Sequence, residues 1–398
     1  MNKSEKFVST ICKKSFLSFW SFPNPIRSDN NKELCDLLIV NDPYVIIISV
    51  KEIDIKNSGD VEVDSKRWDR KAIEKSYKQI YGAERAIKEP KIEIFTHDKK
   101  HKVKFPNSGD MVVYRVGISF GRKQNFDLPL GDAGKGFLHF FDQTSFPIIV
   151  NELDTLVDFV EYLDAKEKFY NSGKKALFNS EEDLLALYLH RGRTFENLEN
   201  TMVEEYSWNK IISKTEFENR KEQEKESYFW DNIIEGLFKD YSQEALLFNN
   251  NFHDIELGLR VMSQETRFSR VMLSKALIEF IGFFNEPKAK SRLVQGLSGI
   301  VYVFLLGERE NPEDINSKRS KELMLRCLVA RNMIETKWVI GIATEKYNPA
   351  GYSFDLCGLY LPELSEDDKK FYTKMQNELG FFTNPNTKTV HYDEYPKQ

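Results

Sequence analysis

The chain has 398 residues, too many for one ordinary domain, and its 41% hydrophobic and 30% charged residues mark a folded protein rather than a disordered one. A net charge of −5 supplies no global attraction to nucleic acid or to an anionic membrane, so any such binding must rest on a local patch. No run of about 18 consecutive apolar residues offers a membrane span, and the four scattered cysteines (Cys12, Cys35, Cys327, Cys357) point to reduced thiols in a cytoplasmic setting and away from a cysteine zinc site.

Lys13 and Lys14 interrupt the apolar part of residues 4–18, which read as an amphipathic helix and not as a signal peptide. Residues 34–41 and 45–53 are strongly apolar and flank Asn41-Asp42-Pro43-Tyr44, so they read as a β-hairpin. A long helix over 66–89 ends at Pro90. Strand-like runs follow at 92–96, 102–105, 111–120, 137–141 and 147–150, with a hairpin tip at Asp98-Lys99-Lys100. The glycine-rich stretch 131–136 lacks P-loop spacing and its Ser/Thr, so it reads as a connection. Asn151 opens a further helix.

From about 175 to 286 the pattern is mainly helical and is closed by Glu286-Pro287, and within it Trp230, Ile233, Ile234 and Leu237 form a core-facing stripe. The remainder is mixed: strands at 299–307, 337–344 and 353–361, helices over 313–335 and 365–379, and a poorly ordered tail from 381. The expected fold class is α/β (α+β): a mixed sheet flanked by helices over 1–172, a helical middle over 173–287, and a small α/β domain with a C-terminal tail over 288–398. The region after 173 is available for homo-oligomerisation or a protein partner.

The hairpin carries two charges that strands covered on both faces resist. With Val40 opposite Val45, Asp36 faces Ser49, and alternation sets Asp36, Ser49 and Lys51 on one face. Leu34, Leu38, Val40, Val45 and Ile47 line one side; Leu37, Ile39, Ile46, Ile48 and Val50 line the other. A carboxylate there can hold a hard divalent cation through oxygen, and a nearby lysine can steady an attacking water or charge on phosphate oxygens. Solvated positions at the sheet rim are the alternative for both residues.

Asp36, twelve residues, then Ser49-Val50-Lys51 resembles the PD-(D/E)XK restriction-endonuclease-like superfamily over roughly residues 1–100. The resemblance implies a restriction-endonuclease-like sheet and a metal-dependent endonuclease acting on DNA (or RNA) with Mg²⁺ or Mn²⁺, in bacterial defence or DNA processing. It makes Asp36 the metal-binding aspartate, Lys51 the catalytic lysine, Gln79 the glutamine on the following helix, and Glu33 or Glu5 the upstream acid. The family's second acid falls on Ser49. Either Glu33, Glu5 or a twisted Glu52 replaces it, or the domain is an inactive nuclease-like protein that binds nucleic acid or assembles with partners.

The helix over 66–89 carries eight basic residues against four acidic ones in a chain that is acidic overall. Lys66, Arg67, Arg70, Lys71, Lys75 and Lys78 are its candidate phosphate contacts, with a solvated helix face as the alternative. Its small residues Ala72, Ser76, Gln79, Ala83 and Ala86 form a stripe that can pack closely on a sheet. Gln79 is then a site residue or a buried amide bonded to backbone.

Overall fold

A computed structural model of the chain describes residues 1–53, 58, 60–121, 131–132, 134–248, 252–282, 290–307, 318–345, 353–383 and 389–395, with only the backbone described over 241–248 and 252–254. The fold is mixed α/β and divides into two units, Met1–Lys214 and Thr215–Gln398.

In the first unit, α1 (Lys3–Phe16) opens on a capping box in which Asn2 and Glu5 satisfy each other's backbone N–H groups. Then come β1 (Ser21–Pro23), β2 (Ile26–Arg27), β3 (Leu37–Asn41) and β4 (Tyr44–Glu52). The hairpin register is the expected one, with Val40 opposite Val45 and Leu37 opposite Ile48. Both faces are covered as the two apolar sets require. Leu37, Ile39, Ile46, Ile48 and Val50 enter one core, and Leu34, Leu38, Val40, Val45 and Ile47 enter the other.

The chain crosses over through α2 (Val61–Trp68), one π-helical turn (Asp69–Ile73) and α3 (Glu74–Lys88), a continuous helix that starts earlier than expected because Asp60 caps the N–H groups of Glu62 and Val63. After β5 (Ile94–Phe95) it returns as β6 (Val112–Phe120), then β7 (Gly131–Asp132) and β8 (Phe137–Asp142). The sheet order is β1-β3-β4-β6-β8-β7, antiparallel from β1 to β4 and at β7, parallel through β4, β6 and β8. Residues 102–105 contribute only an isolated bridge from Lys102 to Phe95.

The run 147–150 is not a strand. It lies in α4 (Ser145–Glu152), which buries Phe146, Ile149 and Val150 on one face. Asp142 Oδ1 accepts the Thr144 and Ser145 N–H groups, and Ser145 Oγ accepts the Asp142 N–H, so a local cap overrides an apolar run without helical punctuation. The next helix, α5 (Leu156–Asn171), accordingly starts after Thr155, which accepts the Asp158 N–H, and not at Asn151. β9 (Ala176–Leu177), α6 (Glu181–His190), β10 (Thr201–Met202) and α7 (Ser207–Ile212) complete the unit. Leu184, Leu185, Tyr188 and Leu189 of α6 join the core beneath α1, α4 and α5.

The second unit holds α8 (Thr215–Phe248), α9 (Phe252–Ser263), α10 (Arg267–Ile281), β11 (Ser291–Gln295), β12 (Val301–Leu306), α11 (Lys318–Met333), β13 (Trp338–Thr344), β14 (Phe354–Tyr360) and α12 (Glu366–Leu379). Its sheet runs β11-β12-β13-β14, with β12 and β13 parallel around the α11 crossover. Val301, Val303 and Leu305 pack with Leu323 and Cys327 of α11. Tyr302 and Phe304 point the other way, to Trp230 of α8 (ring centroids 5.1 Å apart) and Phe280 of α10 (6.1 Å). The helices of 215–281 thus complete the C-terminal sheet and those of 181–212 the N-terminal one, where the sequence reading has three successive segments. Glu286-Pro287 lies outside the described residues.

The tail from 381 is partly anchored. The Arg220 guanidinium donates to the Tyr395 hydroxyl at 2.9 Å, and the Lys275 ammonium lies 5.4 Å from the Tyr392 ring centroid.

Candidate active site

Asp36 immediately precedes β3 and is 6% exposed. Alternation along β3 and β4 gives it the same sheet face as Ser49 and Lys51, beneath α3. Both of its carboxylate oxygens are engaged. Oδ2 accepts the Val50 N–H at 2.6 Å and the Lys51 ammonium at 3.1 Å, while Oδ1 accepts the Gln79 side-chain N–H at 2.9 Å. The other end of the Gln79 amide accepts twice, from Lys51 Nζ at 2.6 Å and from the Ser49 hydroxyl at 2.6 Å. This fixes the amide orientation, because the reverse would turn its NH₂ toward an ammonium and its oxygen toward a carboxylate. Ser76 Oγ lies 3.3 Å from Ser49 Oγ.

Asp36, Ser49, Lys51 and Gln79 therefore converge, as the hairpin register and the small-residue stripe imply. Gln79 bonds side chains and not the backbone. The ammonium lies between two hard oxygens in a nearly buried setting, where charge-assisted hydrogen bonds are stronger than at the surface.

The other acids do not join this cluster. Glu33 is exposed, its backbone bridged to Ile26, and among the described residues its side chain makes no hydrogen bond or ion pair. The Glu5 carboxylate is spent on the cap of α1. Glu52 follows strand alternation to the opposite face and accepts the Ser4 hydroxyl at 2.7 Å. Among the described residues, no group of three or more His, Cys, Asp or Glu side chains is placed to hold a metal ion.

Besides its apolar face, α3 meets the sheet through a contact that the sequence reading missed. Glu84 and Arg115 of β6 form a two-point ion pair with both hydrogen bonds at 2.6 Å. A charge inside the apolar strand Val112–Phe120 was the available signal, the same one that singled out Asp36. Burial works to raise the Glu84 carboxyl, but Arg115 and Lys88 outweigh it and hold it below its ordinary range.

The candidate phosphate contacts Lys66, Arg67, Arg70, Lys71, Lys75 and Lys78 are all exposed. Lys66 pairs with Glu62 at 2.5 Å and Lys78 with Glu74 at 4.0 Å, exposed pairs of little energetic weight, while Arg67 lies 3.7 Å from the buried Asp64. Among the described residues Arg70, Lys71 and Lys75 carry no ion pair, which leaves them free to meet phosphates.

A second polar contact lies on the other face of the same sheet. His139 of β8 is fully buried, and its Nε2 is 3.0 Å from Glu167 Oε1 of α5. Burial pushes Glu167 up to about 7, and burial, Lys166 and Arg115 push His139 well below its ordinary value.

Comparison of the chain with protein-family models, with curated proteins and with solved structures finds no match in any of the three. Among the described residues no helix is long and apolar enough to cross a membrane.

Proposed function

We propose that the first unit is a nuclease-like domain that hydrolyses phosphodiester bonds in nucleic acid with a divalent cation. The observation that carries this reading is the Asp36–Lys51–Gln79 cluster on adjacent strands and their covering helix. The donor chemistry fits Mg²⁺ or Mn²⁺. Asp36 Oδ2 and Gln79 Oε1 are hard oxygens already gathered around a cation, the Lys51 ammonium, and Ser49 Oγ adjoins them through its bond to Gln79. Mg²⁺ commonly takes only one or two carboxylates and fills its sphere with water and substrate phosphate.

Asp36 and Gln79 would hold the ion, which when bound polarises a phosphate and acidifies a coordinated water. Lys51, once displaced from between the two oxygens, neutralises charge developing on phosphate oxygens. Gln79 aims the Asp36 carboxylate, and Ser49 holds Gln79. The exposed cations from Lys66 to Lys78 meet the backbone phosphates.

The test is cleavage of single- and double-stranded DNA and RNA with Mg²⁺ or Mn²⁺. Lys51→Ala and Asp36→Ala should each slow the wild-type rate by roughly 100-fold or more. A second reading, nucleic-acid binding without cleavage, is favoured by Ser49 at the second-acid position and by the three hydrogen bonds that the Asp36 carboxylate already accepts. Binding by wild type with no cleavage under any tested divalent ion would select it.

A further inference from the structure

We propose that a groove along the flank of α3 binds unpaired nucleotides, which makes single-stranded or frayed nucleic acid the substrate of the neighbouring Asp36–Lys51 site, an inference that rests on the nuclease-like reading. The groove has a volume of about 400 Å³ and is lined by Tyr77, Lys78, Tyr81, Gly82, Arg85 and Lys135. Three of the six are cations and none is acidic. Among the described residues Arg85 and Lys135 have no ion pair.

The two tyrosines form a platform. Being four residues apart, they stand one above the other on the helix, with ring planes 18° from parallel and centroids 5.8 Å apart. Tyr77 is backed edge-on by Phe140 at 5.7 Å, and the Tyr81 hydroxyl donates to the Gly136 carbonyl at 2.9 Å, so neither ring is loose. Burial pushes the Tyr81 phenol up to about 12, which keeps it uncharged beside a phosphate.

Lys135 is positioned by its own turn. Asp132 Oδ1 accepts the N–H groups of Gly134, Lys135 and Gly136 at 2.7, 2.9 and 2.8 Å. Those donors are therefore not offered to a ligand phosphate, while the Lys135 ammonium is held 5.9 Å from the Tyr81 ring centroid. Gly82 adds an independent sign. A glycine inside a helix weakens it, and here no packing demands one, because a Cβ at Gly82 would meet nothing within 4 Å. Its effect is to leave the groove floor open between the rings and the cations.

Aromatic faces beside cations suit bases that are already unstacked, because a duplex hides its base faces. The phosphates of the same strand would lie along Lys78, Arg85 and Lys135.

The test measures fluorescence anisotropy of labelled oligo-dT, oligo-U and a DNA duplex of equal length, all about 20 nucleotides long, with the Asp36→Asn full chain in chelator so that nothing is cut. Both single strands should bind more tightly than the duplex. A preference for either of the two single strands supports the proposal.

Tyr81→Leu should weaken single-strand binding about tenfold while Tyr81→Phe retains it. Arg85→Glu with Lys135→Glu should weaken it further and flatten its salt dependence by about one unit of slope per charge lost. Gly82→Leu, which fills the floor at a half-buried helix position where a Cβ meets nothing within 4 Å, should weaken binding without lowering the melting temperature. Duplex binding equal to that of single strands, or binding indifferent to Gly82→Leu and to the double charge reversal, overturns the groove. Groove-dependent binding by a wild-type protein that never cleaves removes the hydrolytic reading alone.

Discussion

The Lys51 ammonium is closer to the Gln79 side-chain oxygen, at 2.6 Å, than to its counter-ion Asp36, at 3.1 Å. A neutral amide and a carboxylate thus share one cation. In the proposed reaction the same oxygens serve a metal ion, so Lys51 competes with the metal that it assists. Lys51→Met should raise Mn²⁺ affinity roughly tenfold, the equivalent of one charge-assisted hydrogen bond of about 1.5 kcal/mol, while abolishing cleavage. Titration calorimetry with Mn²⁺ on both proteins measures the first effect. Equal or weaker affinity in the variant removes the competition.

Ser49 is fully buried and 2.6 Å from Gln79, where the resemblance expects an acid. Ser49→Asp introduces a second carboxylate beside Asp36 with only one ammonium to serve both. Without metal the variant should lose about 3 kcal/mol of stability, as expected for an incompletely paired buried charge. Saturating Mn²⁺ should return most of that loss by mass action. Denaturant unfolding with and without Mn²⁺ reads both, and a loss that Mn²⁺ leaves untouched argues against a cation site.

Arg115 is the anchor that sets Gln79 over the hairpin, although it touches no member of the cluster. Its pair with Glu84 is nearly buried, with side chains 12% and 10% exposed. Arg115→Met leaves the Glu84 carboxylate with Lys88 alone, and the expected cost is about 3–5 kcal/mol. The conservative Arg115→Lys restores charge but only one of the two hydrogen bonds, so it should recover part of that stability and part of the cleavage rate. Full activity in Arg115→Met would show that α3 is positioned by apolar packing alone.

The pair His139–Glu167 gives the first unit opposing pH responses. Glu167, raised to about 7 when folded, adds stability that is complete below its ordinary value of 4.5 and is lost as pH rises through about 7. His139, held far below 6.5, contributes in the opposite sense: its stability is present above 6.5 and is lost as pH falls. Glu167→Gln removes the first response. The melting-temperature advantage of wild type over the variant should therefore shrink between pH 4.5 and 7, and the variant should lose stability more steeply on acidification below 6.5. A difference that does not change with pH means that Glu167 titrates normally.

Local periodicity carried much of this protein. The period-two alternation of β3 and β4 determined their register and both of their faces, because a slip of one residue would have moved every apolar side chain to the wrong side. Asp36, Ser49 and Lys51 were legible for that reason, and so was the small face of α3 that brings Gln79 to them. Punctuation served less well. Residues 147–150 read as a strand because their helix is started by Asp142 and Ser145, side chains outside the apolar run.

The tertiary structure decided which acids meet. Glu33, Glu5 and Glu52 are all near Asp36 in sequence or topology, yet solvent, a helix cap and the opposite sheet face claim them. The Glu84–Arg115 anchor and the grouping of helices with sheets were likewise settled only in three dimensions. Convergence of this kind depends on crossovers between segments dozens of residues apart, and on which face each segment turns to its neighbour. No pattern within a single strand or helix holds that information.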